Sequence, residues 1–496
     1  MKKFFAFLLL AFLPFCFFGC SSDIIAEASK GANLYEIVAV LDDENKTITA
    51  TLNLEYKNDS QSTLENLMFH LHPNAFSDGA KTNIAVSTAQ EAKAYDNGKS
   101  YGGIDILSVK ENNEIATFSI QGTDKHLLNV ELKNSIAPNQ STKLEISFTL
   151  TLPNVNHRFG YGKHTINLGN WYPIVCMFEN GEWHTDGYLP SGDPFYSEIA
   201  NYDVTLTYDS DFILASTGEL AKTSKSGSVT TSNYEAYAVR DFAMVLSKEF
   251  EVLTKQVGGT QVNYYYFDDE NANKHLQVAV DALNTFNELI GQYPYKVLNV
   301  AKACFLHGGM EYPNLVYISD QVTNETEYNN AIIHEIAHQW WYGLVGNNEL
   351  AYGWIDEGLA EYSTALFYDL NSGYDNTKTD VMGNALSSYL LFCDVYREVY
   401  DELNTSMNRN ISAFKTETEY VYLTYVKGML MFDNISETIG QNRMNKCLKA
   451  LYENYRMKEV TPLELIETFE KASGRKLKNF ITSWLDGTVI LEEISG

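Results

Sequence analysis

The sequence predicts a multidomain protein with a β-rich first part and an α+β second part, on the basis of three observations. The chain has 496 residues, more than the roughly 250–300 at which a single hydrophobic core usually stops growing. Short segments of alternating apolar and polar residues, separated by polar turns, dominate residues 33–252. From residue 253 onward the pattern changes to longer segments, most with helical periodicity. We therefore expect a β-sandwich-like domain at 33–252 and a domain with a helical C-terminal half at 253–496.

The first 19 residues have the pattern of a signal peptide. Two lysines precede an apolar stretch from Phe4 to Gly19, which ends directly before Cys20. A transmembrane helix needs about 20 apolar residues, so this shorter stretch, interrupted by Pro14, favours a cleaved leader.

The junction Phe17-Phe18-Gly19-Cys20 resembles the lipobox of bacterial lipoproteins. This resemblance implies an exported protein that is anchored to the bacterial membrane or cell surface by a diacylglycerol on Cys20. Residues 20–32 would then be a lipidated N-terminus and tether. An ordinary secretory signal, which would release a soluble protein, is the alternative.

Charge and cysteine content narrow the class of protein. The formal net charge is −28, and the acidic residues are spread along the chain, which argues against nucleic acid as a partner. Cys176, Cys304, Cys393 and Cys447 are widely spaced and form no CxxC pair. Their spacing leaves both disulfides and buried free thiols open.

The second half begins with a predicted helix at 275–291 and a strand at 297–305. The rest is predicted to be almost entirely helical. The expected helices are Asn329–Tyr342, Ile355–Tyr368, one through the 380s and 390s, Tyr425–Glu437 and Leu463–Leu485.

A metal site is predicted within Ala331–Trp340, which contains the pattern HExxH. His334 and His338 are four residues apart, so a helix presents both imidazoles on one face. Zinc takes nitrogen and oxygen ligands tetrahedrally, and catalytic sites use three protein ligands. Glu357, on the next predicted helix, is the expected third ligand, which gives one Zn²⁺ per chain.

Carboxylates next to these ligands predict hydrolytic chemistry. Glu335 leaves the helix at a different angle and can take a proton from a water that zinc has acidified. Glu361 lies one turn beyond Glu357 and could accept a hydrogen bond from a ligand histidine, or could be a solvated helix residue. Asp356 is expected to cap its helix.

These residues resemble the aminopeptidase N family of zinc metallopeptidases. The resemblance rests on HExxH, eighteen intervening residues and then Glu357 inside Trp354-Ile-Asp-Glu-Gly-Leu-Ala-Glu-Tyr362. It implies a saddle-like β domain followed by a thermolysin-like catalytic domain. It also implies peptide substrates with a free N-terminus.

A second similarity lies in Gly308-Gly309-Met310-Glu311-Tyr312, which resembles the GxMEN exopeptidase motif of that family. The resemblance implies that the glycine-containing edge strand, with Gly308, Gly309 and Met310, holds the substrate backbone. Glu311 would bind the free α-amino group. Tyr312 stands where the family usually has Asn.

A third similarity is Tyr425-Val-Lys-Gly428, which resembles the family's YxKG segment. It implies that Tyr425 donates a hydrogen bond to the oxyanion of the tetrahedral intermediate. Tyr420 and Tyr422 are rival tyrosines in the same stretch. Lys427 and Gly428 favour Tyr425.

The expected function is therefore a membrane-anchored zinc aminopeptidase. The chain stops shortly after Trp484, where the family's catalytic domain ends, so we expect a more open cleft than in the larger enzymes. The alternatives are a zinc endopeptidase with the same site and a surface binding or scaffold lipoprotein without turnover.

Overall fold

The computed structural model describes residues 21–81, 91–489 and 491. The predicted signal peptide and Cys20 lie outside these residues. None of the described helices combines the length and the apolarity that a transmembrane span requires.

The described part of the chain up to Ser247 is rich in strands and confirms the predicted β-rich region. Eight of these strands form one sheet in the order β16-β17-β14-β1-β2-β8-β4-β5, and two further sheets have four strands each. The strands are β1 (Asn33–Asp42), β2 (Thr47–Lys57), β3 (Leu64–His70), β4 (Gly103–Glu111), β5 (Glu114–Ile115), β6 (Phe118–Gln121), β7 (Leu127–Ile136), β8 (Ser141–Thr151), β9 (Phe159–Tyr161), β10 (Ile166–Leu168), β11 (Ile174–Val175), β12 (Phe178–Glu179), β13 (Glu182–Trp183), β14 (Ala200–Asp209), β15 (Ile213–Ser216), β16 (Glu219–Ser226), β17 (Val229–Val239) and β18 (Met244–Ser247).

Side-chain alternation explains why these segments form a half-buried sheet. In β2, Leu52 and Leu54 are buried whereas Asn53 and Glu55 are exposed. A register shift of one residue would expose the whole apolar face, so this pattern fixes the pairing of β2 with its neighbours.

A second sheet of five strands begins the C-terminal part. Its strands are β19 (Glu251–Val257), β20 (Thr260–Tyr266), β21 (Val297–Ala303), β22 (Gly309–Met310) and β23 (Leu315–Ser319). The order is β19-β20-β21-β23-β22, so the short strand β22 lies at one edge, antiparallel to β23. One side of the Gly309-Met310 backbone is therefore without a strand neighbour among the described residues, as the sequence predicted.

Helices make up most of the remaining chain. They are α1 (Ser21–Ala28), α2 (Glu91–Ala94), α3 (Ala272–Leu289), α4 (Glu325–Ala337), α5 (Glu349–Tyr352), α6 (Asp356–Leu370), α7 (Lys378–Tyr400), α8 (Glu417–Val421), α9 (Lys427–Ile439), α10 (Gln441–Tyr455), α11 (Pro462–Ser473) and α12 (Lys478–Leu485). A short parallel pair joins β24 (Val345–Gly346) to β25 (Lys458–Glu459). The helix predicted at Leu463–Leu485 is two helices, because Gly474 adopts φ +67° and ends α11.

The segment predicted as a tether contains the helix α1. Ile25 packs against the core of the β-rich region, and the Asn201 amide donates a hydrogen bond of 3.0 Å to the carbonyl of Ser29. The chain directly after Cys20 is therefore fixed to the β-rich region.

The spacing of the cysteines left open whether they form disulfides or are free thiols, and the structure answers this for the described residues. Cys176, Cys304, Cys393 and Cys447 are all buried, and all are free thiols. Burial raises the pKa of the Cys304 thiol to about 12, which keeps this side chain protonated and unreactive near neutral pH.

Candidate active site

Helix α4 presents the two histidines of the HExxH pattern side by side. The helix begins at Glu325 because the Asn324 side chain accepts hydrogen bonds from the backbone amides of Thr326 and Glu327. His334 lies in its last turn and His338 is its C-cap residue. Their Nε2 atoms are 3.0 Å apart, as the four-residue spacing predicted.

Helix α6 delivers the third predicted ligand. The Oε2 atom of Glu357 lies 3.2 Å from Nε2 of His334 and 3.2 Å from Nε2 of His338. A tetrahedral zinc ion with bonds of about 2.0–2.1 Å requires ligand atoms about 3.3 Å apart. These three atoms therefore fit one zinc ion, and the side chains of the two histidines and Glu357 are mostly buried.

Charge keeps the ligand carboxylate ionised. Burial would raise the pKa of Glu357, but the neighbouring imidazoles of His338 and His334 outweigh it and bring that pKa to about 2. An ionised carboxylate between two imidazoles is the donor set that zinc prefers.

The remaining nitrogens of the two histidines have different partners. Nδ1 of His338 donates to the carbonyl of Trp341 at 2.9 Å, which leaves the Nε2 lone pair free for a metal. Nδ1 of His334 lies 3.4 Å from Oε1 of Glu361 and forms no hydrogen bond there. Glu361 therefore faces a ligand histidine, with about a third of its side chain exposed.

Asp356 does not cap α6, so that prediction was wrong. It is the first residue of the helix, and its buried carboxylate accepts a hydrogen bond of 2.9 Å from the amide of Asn347. The neighbouring helix α5 runs almost directly into α6, which leaves no open helix end for a side chain to cap.

The Glu335 carboxylate lies against strand β22 and lines the same cavity as the two imidazoles. It lies so close to the backbone of Gly309 that a Cβ atom added there would clash with it. Oε2 of Glu335 is buried without a hydrogen-bond partner. Burial, followed by the negative charge of Glu311, raises the pKa of this carboxyl well above its ordinary value.

The carboxylates of Glu311 and Asp193 lie beside the predicted metal ligands. Oxygen atoms of Glu311, Asp193 and Glu357 all lie within 4.8 Å of one another. Oε1 of Glu311 is buried without a partner, whereas Asp193 forms a buried ion pair with Arg158. A buried carboxylate without a partner is costly, so this arrangement favours a positively charged ligand at Glu311.

The sequence analysis missed Asp193 and Arg158. Both come from the β-rich region, more than a hundred residues before the HExxH helix. Arg158 carried no signal in the sequence, and Asp193 lies in the segment Gly192-Asp-Pro-Phe195, where nothing indicated a position at the pocket.

The other residues of the GGMEY segment divide between two roles. Gly308 and Gly309 line the pocket, but the buried Met310 side chain turns away and accepts a contact of 3.2 Å from Nε of Arg158. The hydroxyl of Tyr312 donates to Oδ1 of Asn170 at 3.0 Å. Met310 and Tyr312 therefore connect β22 to the β-rich region and do not face the pocket.

Tyr425 lies at the metal site, and one of its two rivals does not. Its ring is parallel to the His334 imidazole at a centroid distance of 6.0 Å. A π-helical turn, Tyr422–Val426, carries it, and such turns are frequent at functional sites. Tyr420 also lines the pocket, whereas Tyr422 stacks on Phe392 at 4.7 Å and does not.

The two residues after this turn explain the YxKG pattern in physical terms. Nζ of the buried Lys427 donates to the carbonyls of Thr405 at 2.6 Å and Trp484 at 3.0 Å. Gly428 lies against Gly358 of α6, where an added Cβ would be 3.0 Å from the Gly358 Cα. This close contact of α9 with α6 brings Tyr425 near Glu357.

We expect Gly428→Ala to destabilise the protein by about 1–3 kcal/mol, because a methyl group would be forced against the Gly358 backbone of a packed helix pair. Chemical denaturation measures this change. The matched control is Gly383→Ala in α7, where nothing lies within 4 Å of the added Cβ. That variant should gain about 0.5–1 kcal/mol, as an exposed helical glycine does. Equal effects of the two substitutions would contradict the proposed close contact.

The site opens into a cavity of about 450 Å³. Its wall includes Arg158, Asp193, His307, Glu311 and Glu417, together with residues of α4, α6 and α7. The predicted ligands, Glu335, Glu361 and Tyr425 all contribute to its wall. The fold and this site together place the protein in the class of HExxH metallopeptidases.

Comparison with known proteins identifies a family domain in the C-terminal part of the chain. Residues 274–484 match the model of the Peptidase family M1 domain. Aminopeptidase M1-D of Oryza sativa subsp. japonica is 25% identical over 306 residues, which is 58% of this chain and 34% of that protein. Leucine aminopeptidase 2 of Yarrowia lipolytica is 27% identical over 178 residues, 35% of this chain and 27% of that protein. The C-terminal part of the chain therefore contains a Peptidase family M1 domain, which confirms the resemblance to the aminopeptidase N family.

The match spans about a third of the length of these curated relatives. A crystal structure of an M1 zinc metallopeptidase from Deinococcus radiodurans has a TM-score of 0.65 at 15% identity, covering 93% of this chain and 95% of that chain. A mutant of that protein, bound to a Tyr-Ser-Ala substrate, has the same TM-score at 14% identity. These structures share the fold of the described chain.

Proposed function

We propose that this protein is a zinc aminopeptidase, which removes N-terminal residues from peptides. The observation that carries the proposal is the unpartnered Glu311 carboxylate beside a three-ligand metal site. A free α-ammonium group would bind there with a charge-assisted hydrogen bond, and a blocked amine would leave the buried charge unpaired. The mutant of the Deinococcus radiodurans protein binds a tripeptide, which supports peptides as substrates.

His334, His338 and Glu357 would hold the zinc ion. When bound, zinc in such a site supplies Lewis-acid chemistry, which polarises a carbonyl and lowers the pKa of water. Glu335, which lines the same cavity as these three residues, would accept a proton from the attacking water and pass it to the leaving amine. Its raised pKa suits this exchange, because the carboxyl can both take up and release the proton.

Tyr425 and β22 would position the substrate. The Tyr425 phenol would donate to the oxyanion, and burial keeps it protonated by raising its pKa well above the ordinary value. The open edge of β22 at Gly309 would pair with the extended substrate backbone. Asp193 would assist Glu311, while its ion pair with Arg158 fixes its orientation.

A panel of fluorogenic aminoacyl amides, free and N-acetylated, tests the proposal. We expect hydrolysis of the free compounds only, and loss of hydrolysis with a chelator. Glu311→Gln should lower kcat/KM for free amines by about 10-fold or more, because a charged hydrogen bond to the substrate is lost. Equal cleavage of acetylated peptides would support a zinc endopeptidase. Zinc binding without any turnover would support a silent binding protein.

We also propose that the chain is exported and anchored through a lipid on Cys20. Because α1 begins directly afterwards and packs on the β-rich region, the lipid would hold the protein close to the membrane surface. Labelling with an alkyne fatty acid and fractionation of cells should place the wild-type chain in the membrane and Cys20→Ser in the soluble fraction or the uncleaved precursor. A membrane-bound, unlabelled wild type would refute lipidation.

A further inference from the structure

One carboxylate in the pocket has no role in the proposed chemistry. Glu417, the first residue of α8, lines the same cavity as the metal ligands. It forms no hydrogen bond, and its nearest ionisable neighbour is His307, whose Nδ1 lies 3.9 Å from Oε1 of Glu417. Lys415, two residues earlier, faces Glu402 at 3.6 Å instead. The cavity therefore contains a carboxylate without a cation.

The fold places α8, which carries Glu417, close to the segment that contains Asp193. Tyr420, one turn later on α8, packs so closely on Gly192 that an added Cβ would be 2.8 Å from its ring. Gly192 precedes Asp193, which lies beside Glu311. Glu417 is therefore carried by a helix that packs against the segment beside Glu311, where the amine of a substrate would bind.

In the proposed reaction, only the side chain of the substrate's first residue is free to determine specificity. Its amine would be fixed at Glu311 and its carbonyl at the metal site, so only its side chain can reach other groups. A side chain directed towards α8 would meet Glu417 and the neighbouring His307.

His307 offers a neutral acceptor rather than a second charge. Its ring is held between His157 at 5.5 Å and Phe305 at 5.6 Å. Burial, followed by the positive charge of Arg158, lowers the pKa of His307 to about 4, so the imidazole is uncharged near neutral pH. It therefore leaves the Glu417 charge uncompensated. Burial raises the pKa of Glu417, a cost that a bound cation would offset.

We infer that Glu417, with His307, selects substrates whose N-terminal residue is basic, arginine or lysine. This inference rests on the proposed aminopeptidase function and adds its side-chain specificity. A guanidinium or ammonium group would form a charge-assisted hydrogen bond with the carboxylate. An acidic side chain would be repelled by the same carboxylate.

The test compares kcat/KM of the zinc-loaded protein for arginyl, lysyl, methionyl and glutamyl amides of one fluorophore. Methionine is the uncharged substrate of similar length. We expect arginine and lysine to exceed methionine by about 10-fold, because a charged hydrogen bond is strong but this carboxylate is partly exposed. Glutamate should be the poorest substrate.

Glu417→Gln should reduce the ratio of arginine to methionine to about 1, and Glu417→Lys should raise glutamate above arginine. The control is Glu437→Gln, on the exposed face of α9, which should leave the ratio unchanged. Thermal unfolding of each variant verifies folding. An unchanged ratio in Glu417→Gln, or no basic preference in the wild type, overturns the inference. Absence of hydrolysis of every amide would instead refute the proposed function.

Discussion

Glu335→Gln should lower kcat by about 10²–10⁴-fold while the protein still binds one zinc ion, because the amide cannot accept the proton of the attacking water. The substitution preserves the shape of a buried side chain that lies against Gly309. It also removes a buried acid whose pKa is strongly raised, so stability should not fall. Steady-state kinetics, elemental analysis and thermal unfolding measure the three quantities.

The exposed substitution Glu437→Gln serves as the control for loss of a carboxylate far from the cavity. It should behave like the wild type in all three measurements. If Glu335→Gln retained full turnover with zinc bound, another group would have to act as the base, and the assignment of Glu335 would be wrong.

The cluster of the three candidate ligands could be predicted because it depends on local geometry. The four-residue spacing of His334 and His338 fixes their relative positions on any helix, and the structure places their Nε2 atoms 3.0 Å apart. The prediction of Glu357 required only that the next helix pack across the helix that carries the two histidines. The strand alternation of the β-rich region is equally local, and it also predicted the observed fold class.

The rest of the site depends on contacts between distant parts of the chain. Arg158 and Asp193 reach the pocket because the β-rich region packs against β22, and Met310 and Tyr312 help to hold it there. No periodicity in the sequence reports such packing. The wrong prediction for Asp356 has the same cause. Its hydrogen-bond partner Asn347 is apparent only from the arrangement of α5 and α6 in space. The π-helical turn at Tyr425 likewise breaks the period on which a helix prediction rests.

The balance of positive and negative charges in the cavity wall connects these features. The cavity wall contains the carboxylates of Asp193, Glu311, Glu335, Glu357, Glu361 and Glu417, but among the described residues Arg158 is its only arginine or lysine. Arg158 offsets Asp193, and a zinc ion would offset Glu357. The surplus of negative charge can be met by a protonated carboxyl at Glu335 and by a cationic substrate. A free N-terminal amine supplies one positive charge, and a basic side chain supplies a second.

Glu357→Gln should remove zinc from the site, and activity with it. The amide is nearly the same size but carries no charge, and its oxygen is a weaker ligand between the two imidazoles that it faces at 3.2 Å. In the wild type, zinc at 100 times its Kd should add about 2.7 kcal/mol to the free energy of unfolding. The variant should show little of this gain when zinc is titrated during thermal unfolding.

The contrast between the two variants separates the metal from the base. Glu335→Gln should keep the zinc-dependent gain in stability and lose turnover, whereas Glu357→Gln should lose both. Zinc stabilisation of Glu357→Gln equal to that of the wild type would exclude this carboxylate as a ligand. The neighbouring cluster of Asp193, Glu311 and Glu357 would then be no metal site either, since it shares that residue. The aminopeptidase proposal depends on this outcome, because the position of the scissile carbonyl relative to Glu311 is set by the ion that Glu357 helps to hold.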